Sequence, residues 1–179
     1  GLTTEDWAAF TTAQIAALTA TQIPVISTTG IHVLTNSQVA AFTPSDVSHF
    51  TASQVQSFAT AQVQALSSAQ VGALVSSQVQ ALSTAQLRAI DSADFASLST
   101  SAVAAITTAQ VGALSTQQIA GLESNQIAAL STATVRALAP TQLAGLSTAD
   151  IVAMGSAQIG AFSTAQLAAL GTAQVRAIE

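Results

Sequence analysis

The sequence predicts an all-α solenoid, a superhelix of very short helices with one helix in each eight-residue repeat. Three observations predict it. A large apolar residue returns at every eighth position, from Leu2, Phe10, Leu18 and Ile26 to Met154, Phe162, Leu170 and Ile178, without exception in 23 positions. A helix-start signal follows that residue in the same register in most units. The acidic residues, the arginines and two of the three prolines fall where the ends of such helices favour them.

Each position of the unit has a reason. In consensus the unit is Leu-Ser/Thr-Thr-Ala-Gln-Val-x-Ala, as in Leu82, Ser83, Thr84, Ala85, Gln86, Leu87, Arg88 and Ala89. The second residue is Ser, Thr, Asp or Gly in 18 of 22 complete units, and the fifth is Gln or Asp in 19. That spacing is a capping box: the hydroxyl accepts from a backbone N–H three residues on, and the amide reaches back to the cap. Leu82 and Leu87, before the cap and at the fourth helical position, form the hydrophobic staple that accompanies it. Pro44 and Pro140 follow the cap directly, where a missing N–H costs nothing. Glu5, Asp6, Asp46, Asp91, Asp94, Glu123 and Asp150 sit at the cap or in the first turn, and Arg88, Arg136 and Arg176 late in their units, the order a helix dipole favours. Each unit therefore reads as one helix of about one and a half to two turns. Small residues near the helix end, such as Ala73, Ala81 and Gly121, permit close packing of neighbours.

Two other conformations compete. In one continuous helix, eight residues overshoot two turns by about 80°, so the apolar ridge would wind right round the rod and no face could be buried. A β-solenoid is the alternative fold, with Ala, Val and Ala inward at alternate positions and Gln outward. Against it stand the lack of a recurrent turn residue and the abundance of Ala, Gln and Leu. Burial of one Leu and one Val gives about 3–6 kcal/mol, less than ordering eight residues costs, so a unit folds only against its neighbours. Odd and even units do not alternate, which favours a regular superhelix of equivalent helices.

Along the chain, Trp7 takes the staple position as an enlarged core residue. Between Thr19 and Leu34 the pattern is disturbed: Pro24 stands late in a helix and Gly30 where Gln is expected, so a kink or a loosened unit is expected there. Phe42, Phe50 and Phe58 are consecutive at the apolar position and add core bulk. Ala59, Val75, Ala102, Thr134 and Ala139 are smaller lapses. Residues 1–179 thus read as a single array of about 22 units, irregular at 19–34. Gly1 replaces an initiating Met, no signal-peptide pattern follows it, and Ile178 with Glu179 opens an unfinished unit, so a piece of a longer array is expected.

Composition excludes several function classes. Three Arg, no Lys, eight acidic residues and a net charge of −5 leave no basic cluster for phosphate, so no nucleic-acid partner is expected. No run approaches the roughly 18 apolar residues of a membrane span, so no transmembrane segment is expected. The absence of Cys removes disulfides and thiolate metal sites. His32 and His49 have only Asp46 as a nearby carboxylate and read as surface or cap-region residues rather than ligands. Asp91 with Asp94, and Glu5 with Asp6, read as helix starts rather than calcium ligands or paired acids. No Ser lies in a nucleophile elbow. Neither catalytic, cofactor-binding nor metal residues are expected, and the chain does not read as an enzyme.

Units such as LSTAQLRA, ITTAQVGA and FSTAQLAA resemble the octapeptide stretches of very large, acidic, Cys-free bacterial surface or secreted proteins, commonly labelled adhesins or haem-utilisation proteins. The resemblance covers nearly the whole chain and implies an extracellular or cell-surface repetitive segment. It carries no site residue over, haem ligands included. The function expected is a structural spacer or stalk in such a protein, with neighbouring repeats or domains of the same polypeptide as partners. The alternative is an adhesive module whose Ser, Thr and Gln ranks engage a glycan, a surface or another copy. Exposed apolar repeat ends make self-association a further expectation.

Overall fold

The computed structural model describes residues 2–178. The chain forms twenty-one short α-helices, from Thr4–Ala9 to Thr172–Arg176, and one 3₁₀ turn, Ile23–Val25, with no strand among the described residues. The α-helices have four to six residues, at or below the length expected from the capping spacing. The β-solenoid alternative is thereby set aside.

Two extended residues separate successive helices. In the unit at Leu82, that residue has φ −61°, ψ 134°, and the cap Ser83 has φ −66°, ψ 160°. This short extended step breaks the helix and re-aims the next one. No described residue has a positive φ. The left-handed glycine cap that often closes a helix C-terminus is absent from the described helices, so the last carbonyls need another donor.

The chain coils with between three and four units per turn. The helix Thr60–Gln64 packs on Thr84–Ala89, and Ser68–Gly72 on Ser92–Ala96, each pair three units apart, and the same offset holds along the array. Position six of the unit is fully buried from Ile15 to Ile151, and position one is buried from Ile26 to Phe162. Positions two to four are mostly exposed, and seven nearly always, forming an outer face of hydroxyls and small side chains. One continuous apolar core therefore runs the length of the array.

Close approach at the unit's end is real. A Cβ on Gly121 would lie 3.4 Å from the Ser92 carbonyl oxygen, and one on Gly145 only 2.8 Å from the Thr116 methyl group, each across three units. Phe42, Phe50 and Phe58 interlock edge to face, with centroids 5.0 and 5.3 Å apart. The gap beside them is about 10 Å³, room for about one water and no ligand.

The disturbed region is a fitted joint rather than a loosened unit. Pro24 lies within the 3₁₀ turn, and Ser27 still caps the next helix, Thr28–Val33. Gly30 has a steric reason: a Cβ there would lie 2.7 Å from Trp7 Cδ1 and 2.8 Å from its Nε1. The indole, stacked on Phe10 at 5.0 Å, takes the space that a side chain at position five fills elsewhere.

Candidate functional site

The feature that organises this molecule is the glutamine at position five. Its Oε1 accepts from the backbone N–H of its own cap, as Gln86 does from Ser83 at 2.8 Å, while Ser83 Oγ accepts from Gln86 N–H at 3.2 Å. The Nε2 of the same side chain points to the preceding coil. Gln86 donates to the carbonyls of Val55 at 3.2 Å and Phe58 at 2.7 Å, 31 and 28 residues earlier. Gln78 does the same to Val47 and Phe50, both at 2.7 Å. The amide thus closes the N-terminus of one helix and the C-terminus of the helix below it.

This arrangement recurs from Gln38 to Gln174, and those glutamines are buried. Burial of a neutral amide is tolerable here because its oxygen and both N–H groups have partners. The sixth-position carbonyl also accepts from the next first-position N–H, as Val47 does from Phe50. The first-position carbonyl has only the glutamine.

Where the cap side chain does not accept, the glutamine half of the capping pair remains. The backbone N–H groups of Ala59, Val75, Glu123, Ala139, Gly155 and Gly171 all donate to their glutamine oxygens at 2.6–2.9 Å. Where the glutamine is replaced, the seam changes. Ala102 offers the coil below no donor, and Thr134 keeps one bond, its hydroxyl donating to the Ile106 carbonyl at 3.3 Å. Asp94 and Asp150 instead accept from the hydroxyls of Ser68 and Ser124, three units earlier, the latter at 2.7 Å.

The other sequence-level candidates are dispersed. His32 lies exposed at the end of its helix, its Nδ1–H donating to the Ser57 carbonyl at 3.3 Å. His49 donates to the Ser45 carbonyl of its own helix at 2.7 Å. Asp6 accepts from the Thr3 backbone N–H and hydroxyl, both at 2.8 Å, and these bonds hold its carboxyl below the usual value of 3.8. Asp91 is held low chiefly by the Asp94 backbone N–H, which it accepts at 2.8 Å. No three His, Asp or Glu converge on a point among the described residues. Neither is any described helix long and apolar enough to cross a membrane.

Sequence reasoning found the capping role of the glutamine and missed its reach into the next coil. A signal was present: position five is Gln in 15 of 22 units and never Glu. A capping box accepts either, and a helix N-terminus favours the charged one. The need for an N–H donor to the coil below, and the cost of burying a charge at this position, favour the neutral amide.

No curated protein matches the chain. The family model of the ALTTAQ repeat matches it in tandem, at residues 39–76, 47–84, 87–124, 119–155 and 143–179. The matched motif contains the cap, the two outer positions and the seam glutamine just described, and it covers most of the sequence. The chain belongs to the ALTTAQ repeat family.

Proposed function

We propose that this array is a spacer: a solenoid stalk, in a large bacterial surface or secreted protein, that holds other domains apart. The observation that carries this reading is the seam. Every coil is bonded to the next by the same amide, over a continuous core, so length grows with repeat number while cross-section stays constant. With coils packed about 8–10 Å apart and three to four units per coil, each unit adds about 2–3 Å. An extracellular location rests on the resemblance of the repeat.

Doubling the array tests it by small-angle scattering. A stalk doubles its longest dimension at constant cross-section, whereas a globule of twice the length grows only about 1.3-fold. The second outcome would end the proposal.

A second reading, an adhesive module, is favoured by one observation. The first helical residue is Ser or Thr in 17 of 22 units and lies mostly on the outer face, without the capping duty of the residue before it. Saturable retention on a glycan array, lost when several of these residues become Ala, would support that reading. No catalytic role is proposed for the two histidines, which bond to backbone carbonyls.

A further inference from the structure

One seam inside the array is built differently from the rest. Between Gln38 and Gln174, the residues at position five other than Gln are Asp46, Asp94, Ala102, Thr134 and Asp150, and only Asp94 and Ala102 stand in consecutive units. A glutamine at this position satisfies two backbone groups on opposite sides of a seam, the N–H of its own cap and a first-position carbonyl 28 residues earlier. At Asp94 and Ala102 both sides go without. The Asp91 and Ser99 N–H groups meet no acceptor, and the Leu66 and Leu74 carbonyls, at that same offset, meet no donor among the described residues. A coil holds only three to four units, so two consecutive losses open about half of its polar seam.

Two other bonds cross the same boundary, both at its rim. Ser68 Oγ donates to Asp94 Oδ1, and Ser76 Oγ to the Ser101 carbonyl at 2.9 Å, each between exposed groups. Bonds open to water are exchanged for bonds to solvent at little net loss, whereas the seam amides elsewhere are buried. The coil below is also thinly capped, since Ala59 and Val75 offer no cap hydroxyl to Thr60–Gln64 and Ser76–Ala81. The apolar core runs on unbroken, with Leu66, Leu74, Phe95 and Val103 all buried, so the seam is closed at rest by packing more than by hydrogen bonds.

We infer that this seam is an internal opening point: the coil at 60–81 parts from the coil at 92–104 before any other interior pair, while the blocks on either side stay folded. Repeat arrays open in parts, and they open where the interface between neighbours is weakest. In a stalk this is a place that gives under tension inside the rod, a use that rests on the spacer reading; the opening itself does not. The location makes the inference sharp. An array of identical units opens from its ends and is best protected at its centre, and Asp94 and Ala102 lie in the twelfth and thirteenth of 22 units.

Native-state hydrogen exchange of three proteins tests it, read at the buried sixth-position amides. In the 179-residue chain the Phe95 and Val103 amides are expected to exchange about tenfold or more faster than those of Val55 and Ile119, a central minimum of protection in place of a maximum. In the double variant Asp94→Gln with Ala102→Gln, which restores both cap acceptors and both donors, Phe95 and Val103 become the slowest. Adding Gln110→Asp and Gln118→Ala to that variant moves the minimum to Val111 and Ile119. A central maximum in the unaltered chain, a minimum that survives the repair, or one that does not follow the transplanted residues would each overturn the inference. Exchange reads local opening whatever the length of the array, so failure of the scattering test would remove the stalk and leave this minimum, and loss of the minimum would leave the stalk.

Discussion

Replacing Gln78 by Ala isolates the seam. Its side chain is 1 % exposed, its Oε1 accepts from Val75 N–H at 2.9 Å, and its Nε2 donates to Val47 and Phe50 at 2.7 Å. Val75 has no side-chain oxygen, so the cap of this helix depends on the glutamine alone. Removal leaves the Val75 N–H and the Phe50 carbonyl without partners, while the Val47 carbonyl keeps the Phe50 N–H at 3.3 Å. An orphaned buried polar group costs about 1–3 kcal/mol, which the Phe50 carbonyl incurs in full; Val75 is 44 % exposed, so its N–H adds less, for about 2–4 kcal/mol in all. The presence of Ala102 at the equivalent place shows that the seam can accommodate the loss, which points to the lower half of that range. Gln14→Ala is the control, because Gln14 makes only the capping bonds with Thr11, at an exposed site. It is expected to cost under about 1 kcal/mol. Repeat arrays open in parts, so native-state hydrogen exchange of the amides near Val75 and Phe50 is the assay, with denaturant unfolding beside it. Equal losses for the two variants would refute the reasoning, since the inter-coil bonds would then contribute nothing.

The inverse change, Ala102→Gln, places an amide below which the Val71 and Leu74 carbonyls wait at the usual offsets, and two new bonds should stabilise the array by about 1–3 kcal/mol in denaturant unfolding. Gly30→Ala drives a Cβ to 2.7 Å from the Trp7 ring and should cost about 1–3 kcal/mol, recovered in the double variant with Trp7→Leu; a cycle with no coupling would show that the two residues are unrelated. Gly72→Ala meets the Ser97 carbonyl oxygen at 2.9 Å and should destabilise, whereas Gly112→Ala, whose nearest neighbour is 3.8 Å away, should stabilise by about 0.5–1 kcal/mol. Asp6 and Asp91 have carboxyls lowered below 3.8 by the Thr3 and Asp94 backbone N–H groups, so their stabilisation is complete above that value and lost as pH falls through the lowered one. Carboxyl titration by NMR should therefore show the starts of Thr4–Ala9 and Ser92–Ala96 loosening in acid, and Asn at either position should remove that dependence.

Much of this molecule was legible because its signals are local. A cap, its partner three residues on and the staple pair that flanks them lie within six residues, so any single unit shows them, and their recurrence sets the register of twenty-one helices. The equivalence of the units, read from the lack of alternation, appears as the constant three-unit packing offset. The joint at Trp7 and Gly30 was not legible as such. Apart by 23 residues, the two look like separate departures until the coil brings them into contact. Likewise, nothing within eight residues announces that Gln86 bonds to Val55 and Phe58.

The sequence by itself determined the helix boundaries, the residues turned to the core and those left on the outer face, because capping and eight-residue apolar spacing act over distances shorter than one repeat. Only the tertiary structure decided the number of units per coil and the second role of the glutamine. Both depend on where the chain stands after 28–31 residues, and that position accumulates from two extended linker residues in every unit. The physical reason the coil settles there is the same in each turn: helix ends without left-handed caps leave carbonyls in need of donors, and one amide arm, fixed by its own cap, reaches them.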